Sequence, residues 1–280
     1  MKEIVNQIFD EERALYGSRG IKVVSCSFDG PADGESAFKE SSDIETHSCY
    51  FNLRYPFWHC HRAIIRECEM TELCRAALWY SEDITVEGSR LHGIKALREC
   101  KNINIDGSSV DSVEFGWFCD GVSMRNTEVR GEYFMMRSSH LNFRSVELTG
   151  KYSFQYVSDS VFESCNFDTK DAFWHAKNVT VRNSVIKGEY LAWYCENVTF
   201  ENCVIYGTQP LCYCKDLKLI NCEMHGCDLS FEKSQVEAQL TAPIISIKNP
   251  ESGYIKVPFA DEIISESGNC SIIITGESPV

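Results

Sequence analysis

What most constrains this chain is a repeat: from Ile84 onward it divides without a gap into units of nineteen residues. ITVEGSRL opens at Ile84, INIDGSSV at Ile103, VSMRNTEV at Val122 and LNFRSVEL at Leu141. SVFESCNF follows at Ser160, VTVRNSVI at Val179, VTFENCVI at Val198 and LKLINCEM at Leu217. Earlier units open at Ile21, Ile44 and Ala63 with small insertions between them, and a further one at Val236. Self-similarity at a fixed period of this length marks a solenoid, in which each unit buries its apolar face only by stacking on its neighbours.

Position within a unit is counted here from its first residue. Positions 1 and 3 are apolar (Val179 and Val181, Val198 and Phe200), and positions 2 and 4 are mostly polar. That alternation is a strand with one buried face. Position 8 is apolar throughout, from Phe28 and Phe51 to Ile205 and Met224. Gly recurs at position 10 (Gly93, Gly131, Gly188, Gly207), where a corner is expected to need a positive φ. Asp or Asn recurs at position 19 (Asp83, Asn102, Asp159, Asn178, Asn197), placed to bond the backbone of the next turn. A helical solenoid fails, because no segment carries a helical stripe long enough.

The expected fold is therefore all-β: a single-stranded right-handed parallel β-helix of about eleven to twelve coils stacked ~4.8 Å apart. Residues 1–20 read as a short amphipathic helix (Ile4, Ile8, Phe9, Ala14, Leu15) capping the open end. Residues 21–235 form the regular coils, and 236–280 the irregular closing coils and second cap of one domain spanning 1–280.

Composition narrows the function. A net charge of −14 argues against a nucleic-acid partner, which needs clustered Lys and Arg. The segment MKEIVNQIFDEERALYG lacks an apolar core, so neither a signal peptide nor a membrane span is expected, and cytoplasmic residence is the default. Fifteen Cys in such a chain are expected as thiols. Most fall into two ladders: Cys26, Cys49, Cys68, Cys165, Cys203 and Cys222 at position 6, and Cys60, Cys100, Cys119, Cys195 and Cys214 at position 17. Ser89, Ser108 and Ser184 interrupt the first ladder and Ser138 and Ala176 the second, so they read as small buried residues rather than metal ligands. No metal or cofactor is expected.

Several strings also resemble a known family: YPFWH (55–59), RAALWY (75–80), DAFWH (171–175), GEYLAWY (188–194), GTQPLCYC (207–214) and IKNPESG (247–253). They are similar to a bacterial family of proteins of unknown function with the pectin-lyase-like β-helix fold, over nearly the whole chain. The resemblance implies the same fold and supplies no activity.

These strings occupy positions 10 to 17, the expected third sheet, with positions 12, 14 and 16 taken as outward. Position 12 carries Tyr133, Tyr152, Asp171 and Tyr190; position 16 carries Arg137, Tyr156, His175 and Tyr194. Aromatic rings with polar edges suit a saccharide or another small polar ligand. Tyr133, Tyr152, Asp171, Tyr190 and Tyr194 are therefore the candidate ligand-binding residues. A lyase would need a cation and a base, for which Arg137 with Tyr156 and His175 are the candidates. A glycoside hydrolase is disfavoured, since no carboxylate pair shows the spacing it needs. The rival reading is a non-catalytic structural or interaction solenoid whose aromatic rows only stabilise the stack. Whether the chain is an enzyme stays open, as does its oligomeric state.

Overall fold

A computed structural model describes residues 1–30 and 34–276. The chain winds as an all-β parallel solenoid of about 14 turns, with no helix among the described residues. It divides into two compact units, Met1–Glu147 and Leu148–Val280.

In the first unit, strands Arg19–Val24, Ser42–His47, His61–Arg66, Glu82–Glu87 and Lys101–Asp106 pair in parallel. Equivalent residues of the repeat face each other in register: Ile21 on Ile44, Ile44 on Ala63, Ile84 on Ile103. A second, shorter column runs through Ser27–Phe28, Tyr50–Phe51, Glu69–Met70 and Arg90–Leu91. Inside, Phe28 stacks on Phe51 with ring centroids 4.9 Å apart, and Phe38 on Phe57 at 5.0 Å.

The helix expected over residues 1–20 is not there. Lys2–Val5 and Ile8–Phe9 are strands that lie on the coil beginning at Ile21, with Lys2 opposite Ile21 and Phe9 opposite Phe28. The spacing of Ile4, Ile8 and Leu15 imitates a helical stripe, but the nineteen-residue register places Phe9 on Phe28, with rings 4.8 Å apart. Stacking against an existing coil overrides a weak local pattern.

In the second unit the same parallel order runs through Ser158–Glu163, Lys177–Arg182, Glu196–Glu201 and Lys215–His225. Beyond these, Gln235–Leu240, Ser252–Val257 and Ser271–Ile274 continue it in shorter coils: Val236 faces Gly253 and Tyr254 faces Ser271. Residues 277–280 lie outside the described part.

Two expectations about corner residues need a different physical reason, the first only in part. At position 10 the expected positive φ holds at Gly188 (146°) and Gly207 (129°), whereas Gly93 and Gly131 are glycine because of a close backbone approach alone. A Cβ on Gly93 would lie 2.2 Å from the carbonyl oxygen of Cys74, and one on Gly131 lies as badly, 2.3 Å from that of Ser112. At position 19, the Asp and Asn side chains bond one another along the stack rather than the next backbone: Asn178 to Asp159 at 2.8 Å, Asn197 to Asn178 at 3.0 Å. Their φ values of 51–54° are left-handed, a conformation Asn and Asp tolerate best among side-chain-bearing residues.

Candidate functional site

The third side is a sheet only in places, as where Leu78–Trp79 pairs with Leu97–Arg98 and Ile244–Lys248 with Ala260–Ile264. Elsewhere in the second unit it is a run of turns in which positions 12, 14 and 16 are left-handed: Asp171, Phe173 and His175 at φ 53°, 60° and 56°, then Tyr190, Ala192 and Tyr194 at 56°, 55° and 59°. Left-handed alternation reverses successive N–H groups. Asp171 donates forward to the carbonyl of Glu189 (2.9 Å), Phe173 backward to Ser153 (3.0 Å), and His175 forward to Trp193 (2.9 Å). The two-residue periodicity of a strand therefore does not apply here. Position 14 points inward, with Phe154, Phe173, Ala192 and Leu211 all buried, which corrects its expected outward orientation. Positions 12 and 16 do reach the surface side, joined by the half-buried Trp at position 15.

Side chains of the motif donate to the carbonyls at positions 12 and 14, at Phe173 and Phe38 beside a backbone N–H from Ala176 and Ser41. The indole Nε1 of Trp174 donates to Tyr190 O and that of Trp193 to Gln209 O, both at 2.7 Å. The thiol of Cys195 donates to Phe173 O at 2.9 Å and that of Cys214 to Ala192 O at 3.0 Å. In the first unit Trp117 and Cys60 make the same contacts, to Tyr133 O at 2.7 Å and Phe38 O at 2.9 Å. Trp at position 15 and Cys at position 17 are thus hydrogen-bonding clamps as well as packing residues.

The position 6 ladder works alike. The N–H of Cys165 donates to Ser184 Oγ (3.0 Å), and that of Cys49 to the sulfur of Cys68 (3.4 Å). Burial pushes the thiols of Cys60, Cys212 and Cys227 up to about 12, so they stay protonated. No group of three or more His, Cys, Asp or Glu that could hold a metal ion occurs among the described residues.

The candidate residues divide between the units. Arg137, exposed, and Tyr133, half-buried with its ring 6.4 Å from that of Trp117, belong to the first. The second brings the others together in two rows. At position 16, Tyr156, His175, Tyr194 and Tyr213 form one column of near-parallel rings, spaced 4.7, 5.1 and 4.9 Å. His175 thus has a Tyr ring on each face, and only its edge is open.

At position 12, Asp171 lies between Tyr152 of the preceding coil and Tyr190 of the next. Tyr190 packs edge-on against Trp193 (5.4 Å) beneath the ammonium of Lys170, which also pairs with Glu189 at 3.0 Å. Asp171 is only 6% exposed, with Lys170 and Glu189 the charged groups acting on its carboxylate. Burial raises its pKa, with Lys170 opposing and Glu189 adding to the shift.

Sequence reasoning missed a second feature, in the first unit. A cavity of about 740 Å³ opens beside Leu73, Ile94 and Val113, rimmed by Arg54, Arg75 and His92. The signal was in the chain: the coil from Ala63 is two residues longer than nineteen, and its extra Glu72 and Leu73 line the cavity.

With a parallel solenoid and a side-chain-clamped third side established, the protein is of the β-solenoid class. It belongs to the family described as Protein of unknown function (DUF3737), whose pattern matches residues 2–273. No curated protein matches the chain. Among solved structures, a double mutant of the tailspike protein of E. coli bacteriophage HK620 is similar at 11% identity and TM-score 0.42, covering 91% of this chain and 60% of its own. A single mutant of that tailspike in complex with pentasaccharide is similar at 10% identity and TM-score 0.36, with coverage of 91% and 60%. The Agl-KA catalytic domain shows 9% identity and TM-score 0.37, with 98% and 62% covered. The chain thus spans about 60% of the length of the tailspike chains it matches.

Proposed function

We propose that the chain is a right-handed parallel β-helix that binds a saccharide on the outer face of its second unit, at Tyr152, Asp171, Tyr190 and Tyr194. Cytoplasmic residence with reduced thiols is part of this reading. The observation that carries it is Asp171. A carboxylate desolvated by burial between two Tyr residues costs the folded state free energy, and its retention calls for a use. Sugar hydroxyls are donors of the right kind, and flanking Tyr rings offer the apolar faces and hydroxyl edges that sugars engage.

Binding is favoured over modification. His175 is held between Tyr156 and Tyr194, which supports a positioning role in a rigid surface better than that of a proton-abstracting base. The lyase assignment of Arg137, Tyr156 and His175 is therefore the weaker form of the proposal. The column of rings at position 16 also favours the rival reading, since such a ladder stabilises the stack without any ligand. Calorimetric titration with uronate and neutral oligosaccharides separates the two. Saturable binding lost in Asp171→Asn and Tyr190→Ala supports the saccharide reading. Absence of binding across the panel leaves the interaction solenoid.

A further inference from the structure

The charges around Asp171 bear on which saccharides its face admits. Positions 9 to 12 of the three coils that carry Tyr152, Asp171 and Tyr190 hold three carboxylates, Asp168, Asp171 and Glu189, and three ammoniums, Lys151, Lys170 and Lys187. Their formal charges cancel, and each ammonium is engaged. Lys170 pairs with Glu189 at 3.0 Å and lies over the Tyr190 ring at 5.4 Å. Lys151 lies over Tyr152 at 5.9 Å and Lys187 over Tyr206 at 6.0 Å, with Asp168 the register partner of Lys187.

An acidic sugar asks for more than this. A guanidinium, which meets a carboxylate through two parallel hydrogen bonds, is the side chain best suited to a uronate. Residues 148–280 contain one arginine, Arg182, at the end of strand Lys177–Arg182 and therefore on a different side of the coil. Of the remaining lysines near the ring column, Lys177 pairs with Glu196 at 3.0 Å and Lys248 with Glu232 at 3.2 Å. Lys215 and Lys233 are exposed, but they lie two and three coils beyond Asp171, roughly 10 and 14 Å along the stack.

Asp171 itself works against an anion. Its buried carboxylate lies where water screens poorly, so a uronate carboxylate brought against it sets two like charges together. Neutral hydroxyls meet the same carboxylate as donors, and the Tyr152 and Tyr190 hydroxyls can donate or accept alongside it. An amino sugar is disfavoured from the other direction. Its ammonium would lie beside that of Lys170, which adjoins Asp171 in the chain, with Lys151 one coil away.

We infer that the site takes an uncharged glycan and that Glu189 keeps uronates out by holding the ammonium of Lys170. This rests on the saccharide reading above and narrows it to one class of ligand. Glu189 acts through Lys170 and is a positioning residue. Without its charge, an ammonium one residue from Asp171 becomes available to a ligand carboxylate. Both side chains are about half exposed, so the pair can be altered without opening the core.

Cellotriose, mannotriose, xylotriose, trigalacturonate and the trimer of glucosamine are titrated into the full chain by calorimetry at low ionic strength. At least one neutral trimer should bind about ten- to a hundredfold more tightly than either charged one. Glu189→Gln should raise the affinity for trigalacturonate relative to that neutral trimer about two- to fivefold. The gain should disappear at about 1 M salt, and again when Lys170→Met is added to Glu189→Gln. Trigalacturonate bound as tightly as the neutral trimers, a preference for the glucosamine trimer, or an unchanged ratio in Glu189→Gln overturns the inference and leaves the saccharide reading standing. Binding of no trimer at all overturns that reading and the inference with it.

Discussion

At the scale of single residues, the third side of the coil turns ordinary side chains into required donors. Trp193 Nε1 donates to Gln209 O, and Cys195 Sγ adds a second bond to Phe173 O, which also accepts from Ala176 N–H. Trp193→Phe should keep most of the packing and lose the bond to Gln209 O, costing about 1–3 kcal/mol in urea unfolding. Cys195→Ser should stay near wild type, because Ser138 and Ser81 already play that part in other coils; Cys195→Ala should cost about 1 kcal/mol, since Phe173 O keeps its bond from Ala176 N–H. Asp171 is predicted to behave in the opposite sense. Its raised pKa means that the unfolded chain releases the proton first as pH rises, so the carboxylate penalises folding above the ordinary Asp value of about 3.9. Asp171→Asn should therefore unfold at a higher temperature than wild type at pH 7, with the difference vanishing near pH 3. A lower melting temperature at pH 7 would contradict a carboxylate held for binding. Tyr, His and Asp at positions 12 and 16 were legible as a surface row because they recur at one place in the repeat. The inward turn of position 14 was not, because the two-residue alternation used to read it holds only for extended backbone.

At the scale of elements, the coil corner decides which residue is allowed. Gly93 sits where a Cβ would come within 2.2 Å of the Cys74 carbonyl, a backbone atom that cannot swing aside. Gly93→Ala should destabilise by about 1–3 kcal/mol through the forced backbone shift, measurable as a lower urea midpoint at unchanged slope. Glycine at this corner was readable from the sequence, and so was its positive φ at Gly188 and Gly207; the cause at Gly93 was not, since a positive φ and a close approach select the same residue. The N-terminal segment shows the reverse case. Its apolar spacing fitted a helix, yet Phe9 is one more member of the phenylalanine column, 4.8 Å from Phe28. A helix of that length gains little by itself, whereas a strand completing a column buries a ring and forms a ladder of backbone bonds.

At the scale of the whole molecule, the repeat makes a coil the unit of permissible change. Deleting residues 179–197, one complete period, should leave a cooperatively folding chain, because Val198 then meets Ser160 in the register that Val179 had. Deleting eighteen residues instead should abolish native circular dichroism and cooperative unfolding, since a slip of one residue turns each buried side chain outward. The period by itself determined the parallel solenoid, the in-register columns and the two cysteine ladders, because stacked coils force equal positions into contact whatever their neighbours are. Only the tertiary structure decided that much of the third side is a left-handed run bonded by Trp and Cys, that Asp171 is buried, and that a cavity opens beside Leu73. Each of these depends on backbone direction or on the juxtaposition of separate coils, which residue spacing along one chain does not encode.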